Sequence, residues 1–199
     1  MPVTINDILA AKREGRRFAM LTAYDYPTAR LVAEAEVPVI LVGDSLGDNV
    51  LGYPNTIPVT MTEMLHHARA VARGAPGLLL VGDMPFGAYH ESCEQTVANA
   101  AEFLKAGMHA VKVEGGGWVT DRVARLTERG IPVMGHLGLT PQSVNAFGGM
   151  RVQGRTDAAQ DRILSDAQAL QDAGAFAIVL EGIPRDLAAK VTAALSVPT

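Results

Sequence analysis

The sequence has one cysteine, few aromatic residues and no long apolar run. A single thiol, Cys93, cannot form an intrachain disulfide, which is typical of a reducing compartment. No apolar stretch reaches the roughly 18 residues that cross a bilayer, and the polar, amphipathic N-terminus lacks a signal-peptide core. Basic runs, aromatic platforms and zinc-finger spacings are also absent. We therefore expect a cytoplasmic protein with neither a membrane nor a nucleic acid as its partner.

What is present is the composition of an ordinary globular protein. The 199 residues are 48% apolar and 19% charged, with a net charge of −4, and this length predicts a single domain over residues 1–199. Short apolar segments alternate with longer amphipathic ones. The predicted strands cover 18–24, 37–44, 77–83, 110–115, 131–138 and 175–182. The predicted helices cover 26–36, 60–73, 92–106, 120–129, 157–173 and 185–195.

The pattern of these strands predicts an α/β fold. Near-continuous apolar strands indicate burial on both faces, as in a parallel sheet covered by helices. Repeated βα units without a GxGxxG turn favour a (β/α)8 TIM barrel over a dinucleotide-binding sheet. Such a barrel needs eight strands and about 250 residues, whereas this sequence supplies six βα units. We therefore expect that the C-terminal part of the barrel is missing after Thr199, and that the 199-residue chain alone has weak or no activity.

Polar side chains collect where the predicted strands end. In a (β/α)8 barrel these ends form one rim, and active sites lie there. Three converging carboxylates repel one another unless a cation lies among them, and an all-oxygen ligand set suits Mg²⁺. Such an ion could hold a 2-oxo acid through its carboxylate and keto oxygens. The strand-end residues are Asp44, Asp83, Lys112, Glu114, His136 and Glu181.

This arrangement predicts enolate chemistry. Chelation by a metal makes the C–H next to the carbonyl more acidic and stabilises the enolate. Glu181 is the candidate base, because the apolar residues on either side should make its carboxylate more basic. Lys112 could pair with the carboxylate or the enolate oxygen of the substrate.

Six segments carry a specific resemblance to a known family. LVGDSLG, DMPF, VKVEGG, GHLGLTPQSVNAFGG, VQGR and VLEGIP resemble, in order, the corresponding segments of the ketopantoate hydroxymethyltransferase family. The resemblance runs from about residue 4 to residue 199. It implies a magnesium-dependent, homo-oligomeric (β/α)8 barrel. The implied reaction transfers a hydroxymethyl group from 5,10-methylenetetrahydrofolate to 3-methyl-2-oxobutanoate, giving 2-dehydropantoate.

The resemblance also implies roles for individual residues. The implied metal ligands are Asp44 and Asp83, with Glu114 at the metal directly or through water, and Glu181 would take the proton from C3 of the oxo acid. Contacts to the oxo acid are implied for Asp44, Ser45, Asp83 and Lys112, and His136 is a pocket residue of open role. The sequence departs from the family at Asp48, where an apolar residue is usual. We expect the Asp48 side chain to face solvent.

Structural interpretations compete with each of these roles. A strand-end Asp such as Asp44 is more often a turn or helix cap than a metal ligand. Lys112 and Glu114 could form a structural ion pair, and His66 and His67 are expected to be surface or packing residues.

Two rival functions also remain. A lyase or mutase of the phosphoenolpyruvate mutase and isocitrate lyase type would place the same metal on a barrel rim, but Cys93 lies in a predicted helix rather than in a rim loop. A non-catalytic binding barrel would keep the acidic residues without turnover.

Overall fold

The computed structural model describes residues 2–199 and contains all six predicted strands, each within two residues of its expected start and end. The observed ends of the strands matter, because the polar residues of the candidate site lie there. The strands are β1 Met20–Thr22, β2 Val39–Val42, β3 Leu79–Asp83, β4 Ala110–Glu114, β5 Val133–Gly138 and β6 Ala177–Glu181.

The six predicted helices are also confirmed, and three further helices occur within the described residues. The helices are α1 Ile5–Arg13, α2 Tyr26–Glu34, α3 Leu46–Asn49, α4 Met61–Gly74, α5 Cys93–Lys105, α6 Thr120–Thr127, α7 Val144–Phe147, α8 Asp157–Asp172 and α9 Arg185–Ala194. Of these, α1, α3 and α7 were not predicted. Among residues 2–199, no helix is both long enough and apolar enough to cross a membrane.

Helix α1 begins at a capping box that explains its stability despite its polar sequence. The Thr4 side chain accepts a hydrogen bond from the Asp7 N–H, and the Asp7 carboxylate accepts one from the Thr4 N–H at 2.8 Å. Thr60 and Glu63 repeat this arrangement at the start of α4. Such boxes satisfy two N–H groups that would otherwise lack partners at a helix start. The Thr-x-x-Asp spacing was the available signal for α1.

The chain divides between Lys112 and Val113 into two compact units. In the first unit, β1, β2, β3 and the start of β4 lie side by side in chain order and pair in parallel. Every residue of β3 is buried, as predicted for a strand covered on both faces. Gly82 allows the ring of Phe103 in α5 to pack against β3, because a side chain at Gly82 would collide with that ring.

In the second unit, β5 and β6 pair in parallel from Met134 opposite Ala177 to Gly138 opposite Glu181. The N–H of Gly115, just after β4, donates to the carbonyl of His136 in β5 at 3.0 Å. Helix α8 packs on β5, and its buried residues are Ile163, Ala167 and Leu170. The ends of β4, β5 and β6 therefore carry Glu114, His136 and Glu181 into this unit's polar cluster.

His109, which precedes β4, gives the first unit an acid-sensitive contact. Its Nδ1 accepts a hydrogen bond from the Leu80 N–H at 3.0 Å, and burial lowers the pKa of His109 below its usual 6.5. The unfolded chain therefore binds this proton more tightly than the folded chain. The contribution to stability is complete above pH 6.5, the ordinary value, and is lost as the pH falls below it.

We expect urea midpoints to fall as the pH is lowered from about 7 to about 5. The His109→Asn variant keeps a side-chain acceptor without a titrating group, and it should lose less stability over this range. An acid loss in His109→Asn equal to that of the unsubstituted protein would show that other groups cause it.

Candidate active site

Asp44 and Asp83 form a pair of buried carboxylates in the first unit. Asp44 follows β2 and Asp83 ends β3, and the two residues are 3% and 2% exposed. The Asp44 N–H donates to Asp83 Oδ2 at 3.1 Å, and carboxylate oxygens of the two residues lie within 4.8 Å of each other. The parallel register, with Val42 opposite Gly82, brings both acids to the carboxyl end of the sheet. These are the positions at which the sequence analysis placed metal ligands.

Lys112 supplies a positive charge to this pair. Its Nζ lies 2.8 Å from Asp83 Oδ1, and both side chains are at most 4% exposed. Buried carboxylate oxygens that lie this close together are the ligands that a hard divalent cation prefers, so the donor set of Asp44 and Asp83 fits such an ion. Lys112 thus forms a buried ion pair with Asp83.

The Ser45 side chain contacts Tyr24 and does not cap the helix that it precedes. It lies at the start of α3, but its side chain makes no capping hydrogen bond. Its Oγ lies 2.9 Å from the hydroxyl of Tyr24, which follows β1. Leu46–Asn49 forms a short helical turn that was not among the predicted helices. Asp48 in this turn is exposed, as expected.

Tyr24 is a site residue that the sequence analysis missed. The signal was available, because Tyr24 follows β1 just as Asp44 follows β2. The strand-end residues that the sequence analysis selected are carboxylates, one lysine and one histidine, and this selection left out an uncharged phenol. His67 of α4 also lies here, with Nδ1 2.6 Å from the Tyr24 carbonyl oxygen. His67 is thus hydrogen-bonded to a strand end, whereas His66 is exposed, as expected.

In the second unit, His136 lies between two carboxylates. Its Nδ1 is 3.2 Å from Glu114 Oε1, and its Nε2 is 3.3 Å from Glu181 Oε2. Glu114 and His136 are buried, and the Gln142 N–H donates to Glu114 Oε2 at 3.1 Å. His136, whose role was open, therefore lies between the strand-end acids of β4 and β6.

The apolar setting expected for Glu181 is wrong. Its side chain is 46% exposed, because burial decreases along β6 from Ala177 to Glu181. The chain then turns away at Gly182, which has a φ of +54°. Any basic role of Glu181 therefore depends on its position next to His136 and not on desolvation. Its exposure leaves its free oxygen accessible to a small molecule.

Sequence comparisons relate the whole described chain to one family. The family model described as ketopantoate hydroxymethyltransferase matches residues 2–199. A protein of Heliobacterium modesticaldum named 3-methyl-2-oxobutanoate hydroxymethyltransferase is 54% identical over 198 residues, which cover 99% of this chain and 72% of that protein. The protein of the same name from Ignicoccus hospitalis is 54% identical over 197 residues, covering 99% of this chain and 75% of that protein.

Solved structures relate the fold to a second group of proteins. Phosphonopyruvate hydrolase in complex with oxalate and Mg²⁺ superimposes with a TM-score of 0.67 at 19% identity, and the match covers 90% of this chain and 63% of that one. A 2,3-dimethylmalate lyase of the PEP mutase/isocitrate lyase superfamily gives a TM-score of 0.68 at 18% identity, covering 96% and 68%. At these identities the likeness extends to the fold alone.

Proposed function

Because this chain belongs to the ketopantoate hydroxymethyltransferase family, we propose that it transfers a hydroxymethyl group from 5,10-methylenetetrahydrofolate to 3-methyl-2-oxobutanoate, giving 2-dehydropantoate. The structural observation that supports the proposal is the buried pair of Asp44 and Asp83 at the ends of adjacent strands, with Lys112 on Asp83. The parallel βα order is that of a (β/α)8 barrel, which we propose as the fold.

The proposed cofactor is Mg²⁺, held by Asp44 and Asp83. Glu114 would join the site directly or through water, because it follows Lys112 by two residues in β4 and its side chain leaves the same face of that strand. The buried carboxylate oxygens of Asp44 and Asp83, which lie within 4.8 Å of each other, support this choice. When bound there, Mg²⁺ would polarise the keto group of the oxo acid and make its C3–H more acidic.

The remaining residues would bind the oxo acid and move its proton. Lys112 and Ser45 would hold the substrate carboxylate, and Glu181 would take the proton from C3, with His136 fixing the direction of the Glu181 carboxylate at 3.3 Å. The carbanion at C3 would then form a bond to the methylene carbon of the folate as the first C–N bond of that carbon breaks, and the freed nitrogen would take up the proton removed from C3. Water would add its hydroxyl group to the same carbon as the second C–N bond breaks, its remaining proton would go to that nitrogen, and tetrahydrofolate would leave.

Two rival functions are less well supported. A lyase of the PEP mutase/isocitrate lyase type has the fold in its favour, but the relatives at 54% identity bear the hydroxymethyltransferase name. Cys93 lies at the start of α5 and not at a strand end, so it is not placed as a rim cysteine. A non-catalytic binding protein would need no proton acceptor, whereas Glu181 lies beside His136 with an accessible oxygen.

Hydrogen isotope exchange tests the proposal without the folate. In D₂O with Mg²⁺, the full-length protein should replace the C3 proton of 3-methyl-2-oxobutanoate by deuterium, as followed by proton NMR. Chelation of the metal with EDTA should stop the exchange, and added Mg²⁺ should restore it. With tetrahydrofolate and formaldehyde, 2-dehydropantoate should accumulate. Binding of the oxo acid with neither exchange nor product would favour the binding protein and refute the proposed enzyme.

The family membership also leads us to propose a cytoplasmic homo-oligomer. Several large apolar side chains are exposed in the first unit, among them Leu31 at 65% and Leu21 at 47%. Such residues are common at subunit interfaces. Light scattering of the purified protein would measure its mass, and a monomer over the whole concentration range would contradict this part of the proposal.

A further inference from the structure

We propose that Tyr24 is a substrate-positioning residue, which acts by fixing the hydroxyl of Ser45 toward the carboxylate of the 2-oxo acid. This inference rests on the proposed function and adds to it a residue outside the acidic set. The contact that carries it is the 2.9 Å separation of the Tyr24 hydroxyl oxygen from Ser45 Oγ.

The register of β1 against β2 brings the two side chains together. Thr22 pairs with Leu41, and the Ala23 N–H extends the ladder by donating to the Leu41 carbonyl at 3.3 Å. Tyr24 therefore leaves β1 beside the turn that carries Ser45. A Cβ atom added at Gly43 would lie 2.9 Å from Ser45 Oγ, so the absence of a side chain there is what leaves room for the Ser45 hydroxyl.

Polar contacts fix the backbone of Tyr24, whose side chain is half-buried. β1 is a poorly buried strand, and Leu21 in it is 47% exposed. His67 Nδ1 lies 2.6 Å from the Tyr24 carbonyl oxygen, and since a carbonyl only accepts, Nδ1 carries the proton. On the other side, Asp25 caps α2 by accepting from the Thr28 N–H at 2.8 Å. The backbone of Tyr24 is thus fixed between a helix cap and a histidine from α4.

The direction of the hydrogen bond between Tyr24 and Ser45 decides where the Ser45 hydroxyl proton points. A serine hydroxyl has one proton to donate. If the Tyr24 hydroxyl donates to Ser45 Oγ, the Ser45 proton is directed away from Tyr24 and toward a carboxylate that binds beside it. Hydrogen bonds in such a chain strengthen one another, and bonds to a charged acceptor are stronger than neutral ones. Without the phenol hydroxyl, the Ser45 hydroxyl can rotate among other acceptors.

The Tyr24→Phe variant removes this hydroxyl and keeps the ring. We expect the KM for 3-methyl-2-oxobutanoate to rise roughly three- to tenfold, the size of one hydrogen bond, with kcat and the KM for the folate nearly unchanged. The matched control is Tyr26→Phe, since Tyr26 is an exposed tyrosine two residues further on. Tyr26→Phe should leave all three constants unchanged. An unchanged oxo-acid KM in Tyr24→Phe would overturn the proposal.

A double-mutant cycle separates positioning from general destabilisation. If Tyr24 acts through Ser45, then Tyr24→Phe should have no further effect on the oxo-acid KM once Ser45 is replaced by Ala. Additive effects of the two substitutions would overturn the proposal, because Tyr24 would then act independently of Ser45. Failure of the proposed function has a different signature, namely that the unsubstituted protein itself exchanges no C3 proton.

Discussion

Replacing Asp83 by Ala should abolish magnesium binding and turnover and should also destabilise the first unit. Asp83 accepts from the Asp44 N–H at 3.1 Å and lies 2.8 Å from Lys112 Nζ, with all three residues buried. Its removal leaves the Lys112 ammonium without this carboxylate in a buried position. Removing one partner of a buried ion pair costs about 3–5 kcal/mol of unfolding free energy. The same change removes one of the proposed metal ligands.

Two further variants separate the metal from the fold. The Asp83→Asn substitution keeps the side-chain size and an oxygen that can accept from the Asp44 N–H, but it removes the negative charge of the carboxylate. We expect it to retain more stability than Asp83→Ala while still losing Mg²⁺ affinity at least tenfold, as measured by calorimetric titration and urea denaturation. The control is Asp48→Asn, because Asp48 is exposed and four residues from Asp44. If Asp83→Asn and Asp48→Asn bind Mg²⁺ equally well, Asp83 is not a ligand.

The strand positions were predictable because buried parallel strands are short, nearly continuous apolar runs in the sequence. β3 is apolar up to Gly82 and ends on Asp83, so the transition from core to polar residue marks the end of the strand. The same transition located Asp44 after β2 and Glu114 at the end of β4. Acids at the ends of successive strands therefore indicated the candidate site residues without any knowledge of side-chain directions.

The parts that sequence did not predict depend on neighbours that are distant in the chain. Helix α3 has only four residues, too few for a hydrophobic period, and it follows from the way the backbone leaves β2. The exposure of Glu181 depends on what covers the end of β6, which the flanking apolar residues do not report. The contact of Tyr24 with Ser45 joins residues 21 positions apart and requires the β1–β2 register.

The exposure of Glu181 changes the explanation of its proposed role as a base. Burial was the expected source of the basicity of Glu181, but a side chain that is 46% exposed is not desolvated enough for that. What remains to support the proposed role is the position of Glu181 beside His136. His136 Nε2 lies 3.3 Å from Oε2, and the Nδ1 of the same ring faces Glu114 at 3.2 Å. In the proposed function, Glu181 would therefore be a solvent-accessible base that lies beside a histidine.

Replacing Glu181 by Gln should accordingly slow exchange of the C3 proton by roughly 10²- to 10⁴-fold, the usual contribution of a general base. Gln keeps the length and an oxygen that can face His136, so Mg²⁺ affinity, oxo-acid binding and the urea midpoint should change little. Glu94→Gln, at an exposed glutamate of α5, is the matched control and should exchange at the unsubstituted rate. Exchange as fast in Glu181→Gln as in the unsubstituted protein would remove Glu181 from the base role. Since His136 lies between Glu181 and Glu114, it would then be the next residue to test.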